Sequence, residues 1–329
     1  MRALALFSGG LDSMLAIKLL TLQNIEIIAL NINIGFGSKD DKNEIMASRA
    51  RQAGGEFVSV DIRNEYLQNV LFSPKYGYGK QFNPCIDCHG YMFKTALGLL
   101  DKFGAKFVIS GEVLGQRPMS QRAAAMAQVR GLSGDENNLI LRPLCAKLLS
   151  PTTPEILGWV DREKLLDISG RGRTRQMELA REFGFEDYET PAGGCLLTIQ
   201  SYADKIKDMM KFEKFTSVLD GEILKFGRHL RLPGGAKLII GRNEDDNLRL
   251  RNIPNPKFTQ IKFSPNPIGA YSLISLGANS ADMELGARLA LTYTKFEPGK
   301  IYEATIEETK FSVTPFDDKN VAQEYFVGR

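Results

Sequence analysis

Four cysteines, at positions 85, 88, 145 and 195, are the residues whose spacing most directly suggests chemistry. Cys85 and Cys88 lie one turn apart in Asn-Pro-Cys-Ile-Asp-Cys-His (residues 83–89), at a predicted helix start where the helix dipole favours the thiolate form. Cys195 follows two glycines in a predicted loop, which would leave its sulfur accessible. Three thiols from two loops can bind an iron–sulfur cluster with one open iron, or they can relay a persulfide.

Two other interpretations of the cysteines stay open at this point. A structural zinc ion requires four ligands, and Cys145, Asp87 or His89 could supply the fourth. Cys195 could instead be a small buried residue, although Pro-Ala-Gly-Gly is an unusual context for one. The chain has only two histidines, so imidazole acid–base chemistry has few candidates.

A glycine-rich segment, Ser-Gly-Gly-Leu-Asp-Ser (residues 8–13), lies between the first predicted strand and the first predicted helix. Backbone N–H groups, the helix N-terminus and two hydroxyls can converge there on an anion. The segment is neither the Walker loop nor Gly-x-Gly-x-x-Gly. The alternative is a tight turn between strand and helix, capped by Ser8.

Two further polar segments have the composition of binding loops. Gly-Arg-Gly-Arg-Thr-Arg (residues 170–175) places three arginines before a predicted helix, where they would contact phosphates of a ligand or simply remain in water. Residues 111–117 follow a strand end, where doubly wound sheets bind their ligands.

The segment 8–13 resembles the SGGxDS signature of the PP-loop ATP pyrophosphatases, which split ATP between the α and β phosphates and pass AMP to a substrate oxygen. The resemblance implies ATP and Mg²⁺ as cofactors, with Asp12 placing the magnesium ion. It further implies that the loop binds pyrophosphate through Ser8, Gly9, Gly10, Leu11, Asp12 and Ser13.

Within that superfamily, a Cys-x-x-Cys with a lone distant cysteine is similar to the pattern of the tRNA thiolases. These include the 2-thiouridylases, whose Asn-Pro-Cys motif the segment 83–85 resembles. The resemblance implies that Cys85, Cys88 and Cys195 are the catalytic thiols or the ligands of a [4Fe–4S] cluster, and it leaves Cys145 structural. The loop after the fourth strand resembles the nucleotide-adjacent loop of these enzymes, so Gly111, Gln116 and Arg117 are further candidates.

The last third of the chain resembles the NFACT-R type of RNA-binding domain. The similarity rests on Gly-Arg-His (residues 227–229) and on Gly-Arg-Asn followed by a paired asparagine (residues 241–247). It implies that this part binds tRNA. The RNA-binding candidates of the whole chain are Arg171, Arg173, Arg175, Arg228 and Arg242.

Alternation of apolar runs with amphipathic stretches predicts an α/β fold with a doubly wound parallel sheet. Residues 12–22, 41–53, 89–103 and 119–130 have helical spacing, and 150–185 also looks helical, with Pro151 and Pro154 opening one helix and Thr174 able to cap the next. The predicted strands are Ala3–Phe7, Ile25–Ile32, Phe57–Asp61, Phe107–Ser110 and Leu139–Arg142.

After about residue 217, short β-type runs broken by turns predict a smaller α+β domain with one helix, Ala281–Tyr293. The β-type runs include Glu222–Phe226, His229–Leu232, Lys237–Ile240 and Ile301–Ile306. We therefore predict a PP-loop domain over residues 1–200, a helical linker over 201–216 and an RNA-binding domain over 217–329.

The composition is that of an ordinary globular protein with a formal charge of +3, and no apolar run approaches the roughly 20 residues of a membrane helix. The N-terminus lacks a signal-peptide core, so the expected location is the cytoplasm. The expected partners are tRNA and a sulfide or persulfide donor, with a homodimer as one assembly to test.

Together these features predict an ATP-dependent tRNA sulfurtransferase that adenylates a base carbonyl and replaces its oxygen with sulfur. Two alternatives remain: a PP-loop enzyme that forms an amide or amidine with ammonia, and a non-catalytic RNA-binding factor that only binds nucleotide. A desulfurase would need no ATP, and the intact loop argues against it.

Overall fold

Five apolar segments in the first part of the chain form one parallel sheet. The computed structural model describes residues 1–37, 42–189 and 194–328, which divide into two compact units, Met1–Cys195 and Leu196–Arg329. The sheet of the first unit has the order β3-β2-β1-β4-β5, and every neighbouring pair is parallel. Its strands are β1 (Arg2–Leu6), β2 (Glu26–Asn33), β3 (Gly55–Asp61), β4 (Val108–Ser110) and β5 (Ile140–Leu141).

Helices cover both faces of this sheet. Leu15, Phe107 and Leu179 belong to the core on one face, whereas Leu4 and Phe93 belong to the core on the other. Because β1 is apolar at successive positions, it fits a strand buried on both sides. The predicted doubly wound α/β fold is therefore confirmed. The helices are α1 (Leu11–Thr21), α2 (Asn43–Ala53), α3 (Arg63–Tyr66), α4 (Cys85–Gly98), α5 (Leu100–Phe103), α6 (Ala123–Ser133), α7 (Thr153–Ile156) and α8 (Thr174–Glu182), and a π-helix, Leu67–Leu71, extends α3.

The segment 150–185 is less helical than predicted. Its first helix, α7, has four residues and is capped by Thr152, whose backbone N–H donates to Glu155 Oε2 at 2.7 Å. Arg162 donates to the carbonyl oxygens of Ala146 and Leu149, each at 2.8 Å, and holds the following chain in a loop. Because these tertiary hydrogen bonds replace helical ones, the helical pattern is interrupted until α8 begins. Thr174 is the first residue of α8 and not its cap.

The second unit consists of antiparallel sheets and four helices. One sheet has the order β6-β7-β10-β8 and the other the order β12-β11-β9. The predicted α+β class is confirmed. The strands are β6 (Arg228–Arg231), β7 (Lys237–Ile240), β8 (Phe258–Gln260), β9 (Lys262–Ser264), β10 (Ser272–Ser275), β11 (Tyr302–Ile306) and β12 (Thr309–Val313), and the helices are α9 (Gln200–Phe212), α10 (Val218–Ile223), α11 (Glu244–Asn252) and α12 (Ser280–Thr292).

One predicted strand of this unit is wrong, and one of its helices has no counterpart in the prediction. The segment Glu222–Phe226 is not a strand, because Asp220 accepts hydrogen bonds from the N–H groups of Thr216 and Ser217 and starts helix α10 there. Helix α11 was not predicted, since its cap lies in the Gly-Arg-Asn motif that by itself indicates only a turn. The Asn243 side chain accepts a hydrogen bond from the N–H of Asp246 at 2.9 Å and so caps this helix.

A buried ion network fixes helix α9 to the sheet of the second unit. Asp208 on α9 accepts hydrogen bonds from Arg231 at 2.6 Å and from the fully buried Lys237 at 2.5 Å. Arg231 also donates to Glu213 and stacks over Phe212, with 4.2 Å between its guanidinium carbon and the ring centroid. Helix α9, which lies within the predicted linker, is thus tied to the second unit by charge and by packing.

A second buried network lies at the end of β4 in the first unit. Glu112 accepts hydrogen bonds from His89 Nδ1 on α4 and from Arg142 Nε after β5, both at 2.7 Å. The Arg142 guanidinium also lies 5.5 Å from the ring centroid of Phe93. This carboxylate therefore connects the cysteine-bearing helix to the strand ends beside it.

Among the described residues, no helix combines the length and apolar character needed to cross a bilayer.

We expect Glu112→Gln to lower the free energy of unfolding by about 3 kcal/mol at pH 7, because Arg142 would keep a buried charge without its counter-ion. Urea unfolding followed by circular dichroism measures this difference. The matched control is Glu163→Gln, which removes an exposed partner of Lys147 and should change stability by less than about 0.5 kcal/mol. An equal effect of the two substitutions would contradict the prediction.

The difference in stability between wild type and Glu112→Gln should depend on pH. Burial raises the pKa of Glu112, but the Arg142 charge and the hydrogen bond from His89 outweigh it and lower this pKa to about 2, from an ordinary value of 4.5. Because the folded value lies below the unfolded one, the stabilisation is complete above pH 4.5 and is lost as the pH falls towards 2. The stability difference between wild type and Glu112→Gln should therefore shrink only below pH 4.5.

Candidate active site

The glycine-rich segment 8–13 forms the turn between β1 and α1. Gly9 has a φ of +73°, which favours glycine, and Gly10 is the N-cap residue of α1. The Ser13 hydroxyl donates to the Gly10 carbonyl at 2.7 Å, and the Gly10 N–H donates to Ser8 Oγ at 3.4 Å. The side chain of Leu11 is buried in the core, so only its backbone can face a ligand. The turn leaves the first amides of α1 available to an anion.

The end of β4 touches this turn. A Cβ atom on Gly111 would lie 2.5 Å from the backbone of Asp12 and Ser13, so no larger residue fits there without displacing the loop. In the sheet, β1 and β4 are neighbours at the point where the strand order reverses. Doubly wound sheets bind their ligands at this position. Gly111 thus brings the loop 111–117 against the phosphate loop.

Three side chains orient the carboxylate of Asp12. Gln116 Nε2 donates to Asp12 Oδ2 at 2.7 Å, and Arg173 donates to Asp12 Oδ1 at 3.3 Å. Gln176, which is fully buried on α8, donates to Gln116 Oε1 at 3.1 Å and so fixes the orientation of the Gln116 amide. A carboxylate held beside a phosphate loop provides the oxygen ligand that Mg²⁺ prefers.

Two basic side chains, one on helix α2 and one on its N-cap residue, lie near the loop, and each is paired with a carboxylate. Arg49 donates to the Gly9 carbonyl at 3.4 Å and pairs with Asp187 through two hydrogen bonds of 2.9 Å. Lys42 pairs with Glu189 at 2.6 Å, and the Glu189 N–H donates to the same Gly9 carbonyl at 3.2 Å. The chain that leads to Cys195 is therefore attached to the phosphate loop at Glu189. The predicted loop residues Thr190–Gly193 lie outside the described residues.

Cys85 and Cys88 occupy the first turn of helix α4, as predicted. The Asn83 amide donates to Cys85 Sγ at 3.1 Å. The carboxylate of Asp87 between the two cysteines accepts hydrogen bonds from the N–H groups of Lys75 and Tyr76, at 2.7 and 3.0 Å. Asp87 therefore fixes the preceding loop to the helix.

Cys195 lies close enough to Cys88 for the charges of the two thiols to interact. Burial raises the pKa of Cys88, Cys195 raises it further, and a hydrogen-bond interaction with Tyr66 opposes the rise. Cys85 also raises the pKa of Cys88. All four cysteines are thiols in this structure. The fold thus brings together the three cysteines that the sequence pattern singled out.

Cysteine thiolates are the usual ligands of an iron–sulfur cluster, so the residue types at this site are those that a cluster would need. Among the described residues, however, no three thiol, imidazole or carboxylate groups are placed to bind a metal ion. The three residues that could have supplied a fourth zinc ligand have other partners: Asp87 binds backbone N–H groups, His89 binds Glu112, and the Cys145 thiol donates to the Glu112 carbonyl at 3.4 Å. Burial raises the pKa of Cys145 to about 11, as expected for a structural thiol.

The three arginines of segment 170–175 lie in different surroundings. Arg171 is exposed, Arg173 contacts Asp12, and Arg175 bridges Glu178 and Glu182 at 3.2 and 3.1 Å. The structure therefore places Arg173 at the phosphate loop. Arg117 is exposed on the loop after β4.

In the second unit, the two Gly-Arg motifs meet at one carboxylate. Asp246 accepts a hydrogen bond from the Gly227 N–H at 3.1 Å and one from Arg242 at 3.0 Å. The Arg228 guanidinium carbon lies 4.9 Å from the ring centroid of Tyr293, and Lys319 Nζ lies 5.6 Å from the same centroid. Basic groups beside a half-buried aromatic ring are the combination that contacts phosphates and bases in RNA.

Sequence reasoning missed several residues of the site. Tyr66 and Gln176 are polar groups that interact with a predicted site residue, Glu112 binds His89 next to Cys88, and Arg49 contacts the phosphate loop. Asn83 belongs to the Asn-Pro-Cys motif, but no role was assigned to it from the sequence. A buried glutamine three residues after Arg173 was the one usable signal, because it interrupts the apolar face of α8. Arg49 had no such signal, since an arginine on a polar helix face looks like an ordinary solvated side chain.

Two family comparisons match parts of the chain. Residues 2–78 match the family described as the argininosuccinate synthase N-terminal HUP domain. Residues 227–326 match the NFACT protein RNA binding domain.

Curated relatives give low identities. Over 319 residues the chain is 24% identical to the tRNA-specific 2-thiouridylase MnmA 2 of Fusobacterium nucleatum, an alignment that covers 95% of this chain and 86% of that protein. The tRNA-specific 2-thiouridylase MnmA of Gluconobacter oxydans is 26% identical over 266 residues, with 74% and 67% covered. That of Petrotoga mobilis is 30% identical over 130 residues, and the chain spans only about a third of its length, with 34% and 35% covered.

Among solved structures, a 4-thiouridine synthetase bound to RNA and ATP is 21% identical, with a TM-score of 0.40; the match covers 56% of this chain and 40% of that one. By the curated relatives, the chain is similar over most of its length to the tRNA-specific 2-thiouridylases, and residues 227–326 are similar to the NFACT RNA-binding domain.

Proposed function

We propose that this protein is an ATP-dependent tRNA sulfurtransferase that adenylates the carbonyl oxygen of a tRNA base and replaces it with sulfur. The observation that carries the proposal is the attachment of the Cys195 segment to the phosphate loop. Glu189 is hydrogen-bonded to Gly9, and Cys195, six residues later in the chain, acts electrostatically on the Cys88 thiol and raises its pKa. Activation by ATP and delivery of sulfur would thus occur within one site.

The first half of the reaction is assigned to the phosphate loop and Asp12. The loop amides would bind the β and γ phosphates of ATP, and Asp12 would bind Mg²⁺ in place of its hydrogen bonds to Gln116 and Arg173. The base carbonyl oxygen then attacks the α-phosphorus, and pyrophosphate leaves. Arg173, released from Asp12, remains close to the phosphates and offsets their charge. The product is an O-adenylated base.

The second half is assigned to the three thiols. A persulfide anion on one cysteine attacks the adenylated carbon, and AMP leaves with the original oxygen. A second cysteine thiolate then attacks the inner sulfur, which releases the thiolated base and leaves a disulfide. A dithiol reductant restores the two thiols. If Cys85, Cys88 and Cys195 instead hold a [4Fe–4S] cluster, the cluster would supply an open iron that binds sulfide.

We assign tRNA binding to residues 217–329 and the chemistry to residues 1–200. Arg228, Arg242 and Tyr293 would contact the phosphates and bases of an unpaired region, because a base edge is reached only when the nucleotide is unstacked. The cytoplasm is the compartment where tRNA, ATP and reduced thiols occur together. The sulfur donor would be a sulfide or persulfide carrier, and a homodimer is one assembly to test.

We expect Cys195→Ala to abolish thiolation while ATP activation continues. With ATP, Mg²⁺, tRNA, sodium polysulfide as the sulfur source and a dithiol reductant, the variant should form less than about one hundredth of the wild-type thiolated nucleoside, since loss of an essential nucleophile costs at least this factor. The rate at which labelled pyrophosphate exchanges into ATP should stay within a few fold of the wild-type rate. Mass spectrometry of nucleosides and the exchange assay measure the two halves separately.

Cys145→Ala is the control, because this thiol is buried, donates to the Glu112 carbonyl and should not be needed for sulfur transfer. If Cys195→Ala keeps full turnover, ammonia-dependent amide formation becomes the better explanation. RNA binding without release of AMP by the wild type would indicate a non-catalytic factor.

The cluster has a test of its own. Anaerobically purified wild type should show a broad absorption band in the blue region and bound iron, and Cys195→Ala should lose both. Iron-free wild type that still thiolates tRNA would exclude the cluster and retain the persulfide relay.

We expect Arg228→Ala to weaken tRNA binding about tenfold at low salt and to reduce the slope of log affinity against log salt by about 1, because one phosphate contact is lost. Filter binding at several salt concentrations measures both quantities. Lys310→Ala removes the same charge from an exposed ion pair with Glu303 and should change neither. Equal effects of the two variants would show that only net charge matters.

A further inference from the structure

Tyr66 is a buried residue that the proposed reaction does not yet use. Its side chain has no exposed surface, and its ring lies 6.0 Å from that of Phe36, measured between centroids. It ends the short helix α3, which follows β3 at the carboxyl edge of the sheet. Among the described residues, its hydroxyl has no hydrogen-bond partner of normal geometry.

An unpaired buried hydroxyl is unfavourable. Leaving such a group unsatisfied costs about 1–3 kcal/mol, so native proteins retain one where it has a purpose or a missing partner. Other tyrosine hydroxyls of this chain have partners, both on the exposed Tyr78 and on the buried Tyr202. Tyr78 donates to the Leu71 carbonyl at 2.7 Å, and Tyr202 donates to the Gly221 carbonyl at 2.8 Å.

The neighbours of the Tyr66 hydroxyl are the three thiols of the site. Burial raises the pKa of Tyr66 most, and the next contributions come from Cys88, then Cys195, then Cys85. The hydroxyl approaches Cys88 without completing a hydrogen bond to it. The Tyr66 hydroxyl is therefore a hydrogen-bond donor close to the thiols, where the proposed reaction would bind sulfur.

A second donor acts on sulfur in the same site. The Asn83 side-chain amide is nine-tenths buried and donates to Cys85 Sγ at 3.1 Å. Neutral N–H and O–H donors at the start of a helix stabilise negative charge on sulfur without an adjacent cation, and so they leave the sulfur nucleophilic.

We propose that the Tyr66 hydroxyl donates a hydrogen bond to an anionic sulfur bound among Cys85, Cys88 and Cys195, and that this sulfur is its missing partner. The identification of that sulfur as the one delivered to tRNA rests on the proposed function; the hydrogen bond itself does not. Two sources share this chemistry: the terminal sulfur of a cysteine persulfide, and sulfide bound with iron. Tyr66 is in either case a positioning residue for sulfur.

The test compares Tyr66→Phe with Tyr78→Phe, which removes a hydroxyl that already has a partner. In sulfur-free protein, Tyr66→Phe should leave stability unchanged or raise it, whereas Tyr78→Phe should lower it. Each protein is then incubated anaerobically with sodium polysulfide, or with ferrous iron and sodium sulfide, and is desalted. After desalting, Tyr66→Phe should retain at least fivefold less sulfur than wild type in one of the two incubations, and Tyr78→Phe should retain the wild-type amount.

The two incubations distinguish the sources. Cyanide-labile sulfur without iron identifies the persulfide, and acid-labile sulfide with iron identifies the cluster. Alkylation of all three cysteines in the sulfur-free variant shows that the thiols are intact. Equal sulfur retention by Tyr66→Phe and wild type overturns the inference, as does wild type that retains no sulfur in either incubation.

Failure of the proposed function gives a different result. Wild type that retains sulfur through Tyr66 yet forms no thiolated nucleoside and no AMP with tRNA and ATP would support the hydrogen bond and contradict the sulfurtransferase. Wild type that thiolates tRNA while Tyr66→Phe retains sulfur normally would support the sulfurtransferase and contradict the role of Tyr66.

Discussion

The contact between Gly111 and the first turn of α1 is the constraint on which the candidate site depends. A side chain at this position would overlap the backbone of Asp12 and Ser13. Only with glycine there can the loop after β4 reach the phosphate loop, and only then can Gln116 bind Asp12 and Gln176 support Gln116 from α8. Three segments far apart in the chain thus meet at one carboxylate, at the point where the strand order of the sheet reverses.

Charge is distributed unevenly around this contact. On the phosphate side, Arg49, Lys42 and Arg173 are held by carboxylates or carbonyls, so positive charge is present before a nucleotide arrives. On the sulfur side, the donors are an amide and a hydroxyl at a helix N-terminus, and the Asp87 carboxylate, which raises the pKa of Cys88, is held by backbone N–H groups. Cations suit the phosphates, which must be bound and neutralised, whereas neutral donors suit a sulfur that has to remain a nucleophile. The buried ion pair of Glu112 and Arg142, together with His89, holds α4 against the end of β4.

The second unit uses the same kinds of interaction for a different purpose. Asp246 joins the two Gly-Arg motifs, and Asn247 accepts from the Tyr271 N–H at 2.8 Å and donates to the Gly269 carbonyl at 3.1 Å. These polar side chains fix loops beside the sheet, and the arginines next to them keep part of their surface for a ligand. The motif asparagines therefore have a structural explanation, since they satisfy backbone groups that no strand pairs.

The sequence by itself determined the parallel sheet, the phosphate turn and the identity of the three thiols. Apolar runs of strand length and a Ser-Gly-Gly turn are local patterns, and their physical meaning does not depend on the rest of the chain. Only the tertiary structure decided that Arg173 contacts Asp12, whereas Arg175 pairs with glutamates on its own helix. It also decided that Asp87 binds backbone N–H groups and that His89 binds Glu112. The position of the Tyr66 hydroxyl near the thiols was likewise decided by the tertiary structure. The same holds for helix α11, whose cap looks like a turn, and for segment 150–185, where Arg162 replaces helical hydrogen bonds by tertiary ones. Which partner a polar side chain finds depends on segments that are distant in the sequence, and that information is absent from any local pattern.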